Sequence, residues 1–176
     1  MSAKAQTLLG KIKRVLKHRW LDEASAHRAV TPALAERLRQ RVMASEARHS
    51  GEIRICVEAG LPLSYLWRGA TARERAVMMF AKLRMWDTAH NNGVLIYLLL
   101  AEHAIEIVAD RGLNEKVARD EWRAIARRLG AAFKAQRHED GLTEALGEVS
   151  ALLVQHFPLA EGEANPNELP DSLDVR

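Results

Sequence analysis

Asp87, His90 and Asp110 are the side chains of this sequence with the clearest capacity for chemistry. Carboxylates and an imidazole brought together are ligands for a divalent cation. Asp87 and His90 belong to a polar stretch that runs on through Asn91 and Asn92 to Gly93, and Asp110 opens a second one, Asp110-Arg111-Gly112. Another polar group, His138-Glu139-Asp140, could also supply ligands, but it equally spells a solvated turn between helices. The first two stretches have a plain structural reading too. Asn-Gly before a buried strand serves a tight turn, and Asp110 with Arg111 can form a local ion pair.

What lies between those stretches decides that they meet. Val94 to Leu100 is an unbroken apolar run, bounded by turn residues and too short for a membrane span, which suits a strand buried on both faces. Ala104 to Ala109 is an Ile- and Val-bearing run of strand character. Only Ala101, Glu102 and His103 link them, so the return must be antiparallel, because a parallel return needs a long crossover. Asn91, Asn92 and Gly93 are therefore expected beside Asp110, Arg111 and Gly112 at one edge of a sheet. Other signatures of chemistry are absent: no phosphate-cradling glycine loop between strand and helix, no paired histidines at metal spacing, no CxxC. Cys56, the only cysteine, sits in an apolar run and reads as a small core residue.

The remaining elements supply the frame. Thr31-Pro32 starts a helix carrying Leu34, Leu38 and Val42, which should stop near His49-Ser50-Gly51. Glu52 to Glu58 alternates as a strand. Residues 59–70 read as a loop unusually rich in apolar side chains, Leu61, Leu63, Tyr65, Leu66 and Trp67. Thr71 and Glu74 have capping-box spacing, and the helix that follows is predicted to bury Val77, Phe80, Ala81 and Met85. After Gly112, Asn114 is the candidate cap of a short helix and Asp120 of the next, which His138-Glu139-Asp140-Gly141 breaks; a last helix carrying Leu142, Leu146 and Val149 is ended by Pro158. Strand, helix, strand from 52 to 100 implies a right-handed crossover and a parallel pair. The fold class that results is α/β: a three-layer α/β/α sandwich with a small mixed sheet, in a single domain over residues 31–157.

Charge is concentrated at the ends. Residues 1–20 hold six cations and no acid, whereas the tail from residue 158 holds five acids against Arg176. Residues 1–30 are read as a basic amphipathic arm, with Leu8, Leu9, Ile12, Val15 and Leu16 at helical spacing in its first part. The arm either packs on the domain with its charges solvated or makes peripheral contact with an anionic membrane. Nucleic acid ranks last, since the +3 net charge belongs mostly to the arm and not to a basic globular surface. Residues 158–176 are expected to be an acidic disordered tail. The first twenty residues lack the pattern of a signal peptide, so a cytoplasmic location is the expectation, peripheral at the membrane if the arm binds there.

Ser50-Gly51-Glu52-Ile53, His90-Asn91-Asn92-Gly93-Val94-Leu95, the strand that closes on Gly112-Leu113, and Asp140-Gly141-Leu142 together resemble the TPM domain family. They follow one another in order and at comparable spacing across about residues 31–157. The resemblance implies a single α/β/α domain. Family members include thylakoid proteins linked to photosystem repair and many secreted or membrane-anchored bacterial proteins. Some bind divalent metal, often calcium, at an acidic cluster, with acid-phosphatase activity. Here Asn91 stands where the family often has Asp, and Gly141 is not doubled.

Two functions from different classes follow. The favoured one is an accessory or interaction module, serving membrane-protein assembly or turnover through an unknown protein partner. Asp87, Asn91 and Asp110 would hold Ca2+ or Mg2+ at the strand ends, Asn91 as a neutral oxygen ligand. The alternative is a metal-dependent, acid-phosphatase-like hydrolase, in which the ion polarises a phosphoryl oxygen and Arg111 meets the developing charge.

Overall fold

The apolar runs form the hairpin that their spacing requires. β2 (Val94–Leu99) is buried along its whole length. β3 (Ala104–Ala109) lies antiparallel beside it, with Val94 opposite Ala109 and Leu99 opposite Ala104. One 3-10 turn, Leu100–Glu102, and His103 in the left-handed conformation reverse the chain. β1 (Ile53–Glu58) runs parallel to β2 on its other side, in the predicted orientation, with Ile53 opposite Val94. These features come from a computed structural model, which describes residues 8–160, 169 and 172–176.

The sheet has the order β3-β2-β1-β4, and its fourth strand is a correction to the expectation for the tail. β4 (Asp174–Val175) pairs in parallel with β1, placing Asp174 opposite Cys56 and Val175 opposite Val57. Arg176 N donates to Val57 O at 2.9 Å, and Ala59 N donates to Arg176 O at 2.8 Å. An edge strand presents unpaired backbone groups that an extended segment of polar sequence can satisfy, so composition alone does not reveal such a pairing. Residues 161–168, 170 and 171 of the tail lie outside the described residues.

Strand alternation divides the core in two. Ile55, Val57, Ile96 and Leu98 face α2 (Glu23–Ala29), α3 (Pro32–Glu46), α7 (Arg119–Lys134) and α8 (His138–His156). Cys56, Leu95, Tyr97 and Leu99 face α4 (Leu63–Trp67) and α5 (Ala72–Lys82), with α1 (Leu8–Trp20) packed against α4. Two helical layers around a mixed sheet make the three-layer sandwich.

Local signals set the helix starts. Thr31 Oγ1 accepts from Leu34 N at the head of α3, and Thr71 and Glu74 form the reciprocal capping box of α5. Short helices account for most differences from the sequence reading. The segment read as an apolar loop contains α4, and residues 20–30, without clear periodicity, contain α2. Ala26 and Val30 are fully buried, so the core takes in chain before residue 31. α5 turns Ala76, Met79 and Arg75 inward, while Val77 is exposed. The cause is Arg75, whose guanidinium is held under the sheet by Glu58 and so sets the rotation of the helix. No helix among the described residues is long and apolar enough to cross a membrane.

Candidate cation site at the strand ends

Gly93 and Gly112 allow the two polar stretches to approach. A Cβ on Gly93 would lie 2.1 Å from Met85 O, and one on Gly112 would lie 2.6 Å from His90 O and 2.7 Å from Asn91 O. Only glycine fits such backbone contacts. Asn91 is left-handed, with φ of 51°, and its carbonyl accepts from Gly112 N at 2.9 Å. Asp110 N donates to Gly93 O at 2.9 Å. The segments predicted to converge are thus bonded through their backbones.

Their side chains fare differently. Asp110 Oδ1 accepts from Arg111 N at 2.7 Å and caps the short helix α6 (Arg111–Asn114), so the cap is Asp110 and not Asn114. Asp110 Oδ2 is buried and accepts no hydrogen bond. Asn92 is fully buried: its N donates to Thr88 Oγ1, its Nδ2 donates to Ser50 Oγ at 3.2 Å, and its Oδ1 has no partner. Asn91 is half-buried. Asp87 and His90 are exposed, and Asp87 is ion-paired with Arg84. Among the described residues, no three His, Cys, Asp or Glu side chains are grouped so as to hold a metal ion. At these strand ends, among the described residues, the buried side-chain oxygens without a partner are Asp110 Oδ2 and Asn92 Oδ1. Asn92 had no assigned role in the sequence reading. The signal that could have singled it out is an amide directly before a fully apolar strand, where water has little access.

Two other polar groups bear on the assignment. Ser45 Oγ lies 2.8 Å from His49 Nε2 and 2.6 Å from Ser150 Oγ, while His49 Nδ1 donates to Gly51 O at 3.0 Å. A hydroxyl beside an oriented imidazole has the form of a nucleophile and its base. All three residues are buried, however, and they tie α3 to α8 and to the entry of β1. Burial drives the His49 pKa down to about 4, so the ring is neutral and structural.

At the opposite end of the sheet, a cleft of about 330 Å3 is lined by His18, Glu58, Leu61, Arg75 and Arg176 among others. Beneath it Arg75 donates to Glu58 at 2.7 and 2.5 Å, and Tyr97 Oη donates to Glu58 Oε2 at 2.7 Å. Burial alone would lower the Arg75 pKa, but the bonds to Glu58 outweigh it and hold the guanidinium above its ordinary value. Burial first, and the Glu58 charge second, push the Tyr97 hydroxyl up.

A mixed-sheet α/β/α sandwich, with a polar loop cluster at one end of its central strand, is the class that fold and site define. The TPM domain model matches residues 26–152, and the chain belongs to that family. Among solved structures, the chain is similar to the BA42 protein from the psychrophilic bacterium Bizionia argentinensis. That likeness has 26% identity and a TM-score of 0.71, and it covers 82% of this chain and 94% of that one. The N-terminal domain of a protein from P. gingivalis shares the fold at 19% identity and a TM-score of 0.59, over 74% of this chain and 82% of that one. No curated protein matches the sequence.

Proposed function

We propose that the chain is an accessory, interaction-type TPM domain, serving membrane-protein assembly or turnover, with a weak Ca2+ or Mg2+ site at its strand ends. The observation that carries the cation site is the pair of buried oxygens without partners, Asp110 Oδ2 and Asn92 Oδ1. Hard cations take oxygen ligands, and the chemistry of this donor set fits one. A bound ion would neutralise Asp110 and tie the two stretches together. Asp110 supplies the charge, Asn92 a neutral oxygen, and half-buried Asn91 stands next to it in the chain. Asp87 would join only by leaving Arg84. A single free carboxylate puts the site at the weak end of calcium sites, about 1 mM, since calcium affinity rises with ligand charge. The hydrolase alternative needs a nucleophile or base beside these oxygens, and the one Ser–His pair described above is buried away from solvent.

The test is a titration of the full chain with Ca2+ and Mg2+, read by heteronuclear NMR. Shifts are expected to concentrate at residues 88–93 and 110–114. Asp110→Ala should weaken binding at least about tenfold, through loss of the carboxylate, whereas Glu139→Ala should not. Equal affinities for both variants, or no binding at millimolar concentration, refute the site. Cation-dependent turnover of a phosphate monoester by the parent would favour the hydrolase.

A further inference from the structure

α1 docks on the domain by the face that its hydropathy marks as the less apolar one. Arg14 Nε donates to Glu102 Oε1 at 2.7 Å, and its Nη2 donates to Ala70 O at 2.5 Å. His18 is buried; its Nδ1 accepts from Leu61 N at 2.9 Å, so Nε2 carries the proton that it shares with Glu102 Oε1 at 3.0 Å. Val15, partly buried, packs against the apolar cluster on that side of the sheet. Gly60 admits this close approach, since a Cβ there would lie 2.7 Å from His18 O.

The apolar stripe consequently points to solvent. Leu9, Ile12, Leu16 and Trp20 are 70%, 51%, 62% and 89% exposed. At 3.6 residues per turn these four fall within an arc of about 80°. Lys13 and Lys17 lie along one margin of that arc and Arg19 along the other, all exposed, and α1 contains no acid. The neighbouring α4 adds Trp67, 72% exposed, and Leu63, 46% exposed.

We propose that the outward face of α1, with Leu63 and Trp67 of α4, is a docking surface for an anionic lipid bilayer. This rests on the interaction-module reading and names the partner of one of its faces. The surface combines an apolar strip narrow enough for the headgroup boundary, tryptophans of the kind that sit at that depth, and cations on both margins facing phosphate. Charge complementarity favours lipid over a second copy of this chain, whose α1 would bring the same positive charge. Because the latch at Arg14 and His18 already holds the helix in place, the bilayer does not have to order it.

The full chain is tested by co-sedimentation with phosphatidylcholine vesicles, with and without about 30% phosphatidylserine. Anionic vesicles should retain it and neutral ones should not. Raising the salt from about 50 mM to about 500 mM should reduce binding about tenfold or more, because the field is screened. Leu16→Glu and the pair Lys13→Glu with Lys17→Glu should each bind about tenfold or more weakly, given the apolar and charge contributions removed. Val77→Glu, at an exposed apolar position on α5, should bind like the parent. Brominated lipid should quench the parent's fluorescence, and Trp20→Phe should lose part of that quenching; this reading stands even if a charged variant folds poorly. Equal binding of Leu16→Glu and Val77→Glu, binding to neutral vesicles as strong as to anionic ones, or absent quenching overturns the proposal. So does a parent dimer that Leu16→Glu dissociates, which would assign the face to a second copy. The cation titration reads the other end of the sheet, so the two proposals can fail separately.

Discussion

The two ends of the central strand β2 treat their polar groups in opposite ways. At the carboxyl end, Glu58 is matched by Arg75 and Tyr97, Glu102 by Arg14 and His18, and Asp174 by Arg176. At the amino end, Asp110 and Asn92 each keep one buried oxygen unpaired, between loops pressed together at two glycines. A buried acceptor without a partner costs about 1–3 kcal/mol, so leaving two of them unpaired is not the way to hold loops together. The carboxyl end uses its charges to fasten α1 and α5 to the sheet. The amino end leaves two acceptors open, and these are the oxygens the proposed cation site would use. Polar residues at the two ends of one strand thus differ in hydrogen-bond saturation, and that difference is what the cation proposal rests on.

That contrast yields graded expectations. Arg75→Ala has the largest effect, because it strands Glu58 as a buried charge. The loss should be about 3–5 kcal/mol, on the order of 10 °C in melting temperature. If the protein stays folded, its cation titration should match the parent's; a changed titration would mean that the two ends are not independent. Gly112→Ala comes next. Its Cβ must displace the carbonyls of His90 and Asn91, and overpacking of this kind costs about 1–3 kcal/mol. Unlike Arg75→Ala, it should also weaken the cation response, and an unaltered response would detach the site from these loops.

The third expectation concerns pH. His49 titrates near 6.5 when unfolded and near 4 when folded. Above about pH 6.5 both states are neutral and the native state keeps its full stability. As pH falls from about 6.5 towards 4, the unfolded chain takes up a proton that the native ring refuses, so stability declines across that window and levels off below it. His18, also held low by burial and only partly restored by Glu102, acts in the same direction. Melting curves of the parent and His49→Asn between pH 7 and 4 check this. The variant should start less stable and fall less steeply, and parallel curves would remove His49 as a cause.

What could be read in the sequence depended on whether one local pattern was enough. The hairpin was legible because an unbroken apolar run and a three-residue link leave one arrangement, and Thr31 and the Thr71–Glu74 pair name their own helix starts. α5 was misread because a buried arginine contradicts hydropathy until Glu58 is placed beneath it. Which face of α1 turns outward was left open by the sequence for the same reason, since Arg14 and His18 are inward only through Glu102, Leu61 and Ala70. At the site, the meeting of Asn91 and Asp110 with their neighbours followed from strand geometry. Which oxygens remain unpaired depends on Ser50 and Thr88, brought in from other elements, and no spacing in the sequence encodes that.

The short pairing of β4 with β1 also bears on the behaviour of many copies in solution. A sheet margin with free amides and carbonyls is a template for further strands, and two molecules can join through it without any designed interface. Here 172–176 occupies part of the β1 margin. On the far margin Arg73 covers β3 by donating to Ile107 O at 2.6 Å and pairing with Glu106. Residues 174–176 therefore act as a guard strip, occupying backbone groups of β1 that would otherwise stand open to a strand from a neighbouring molecule.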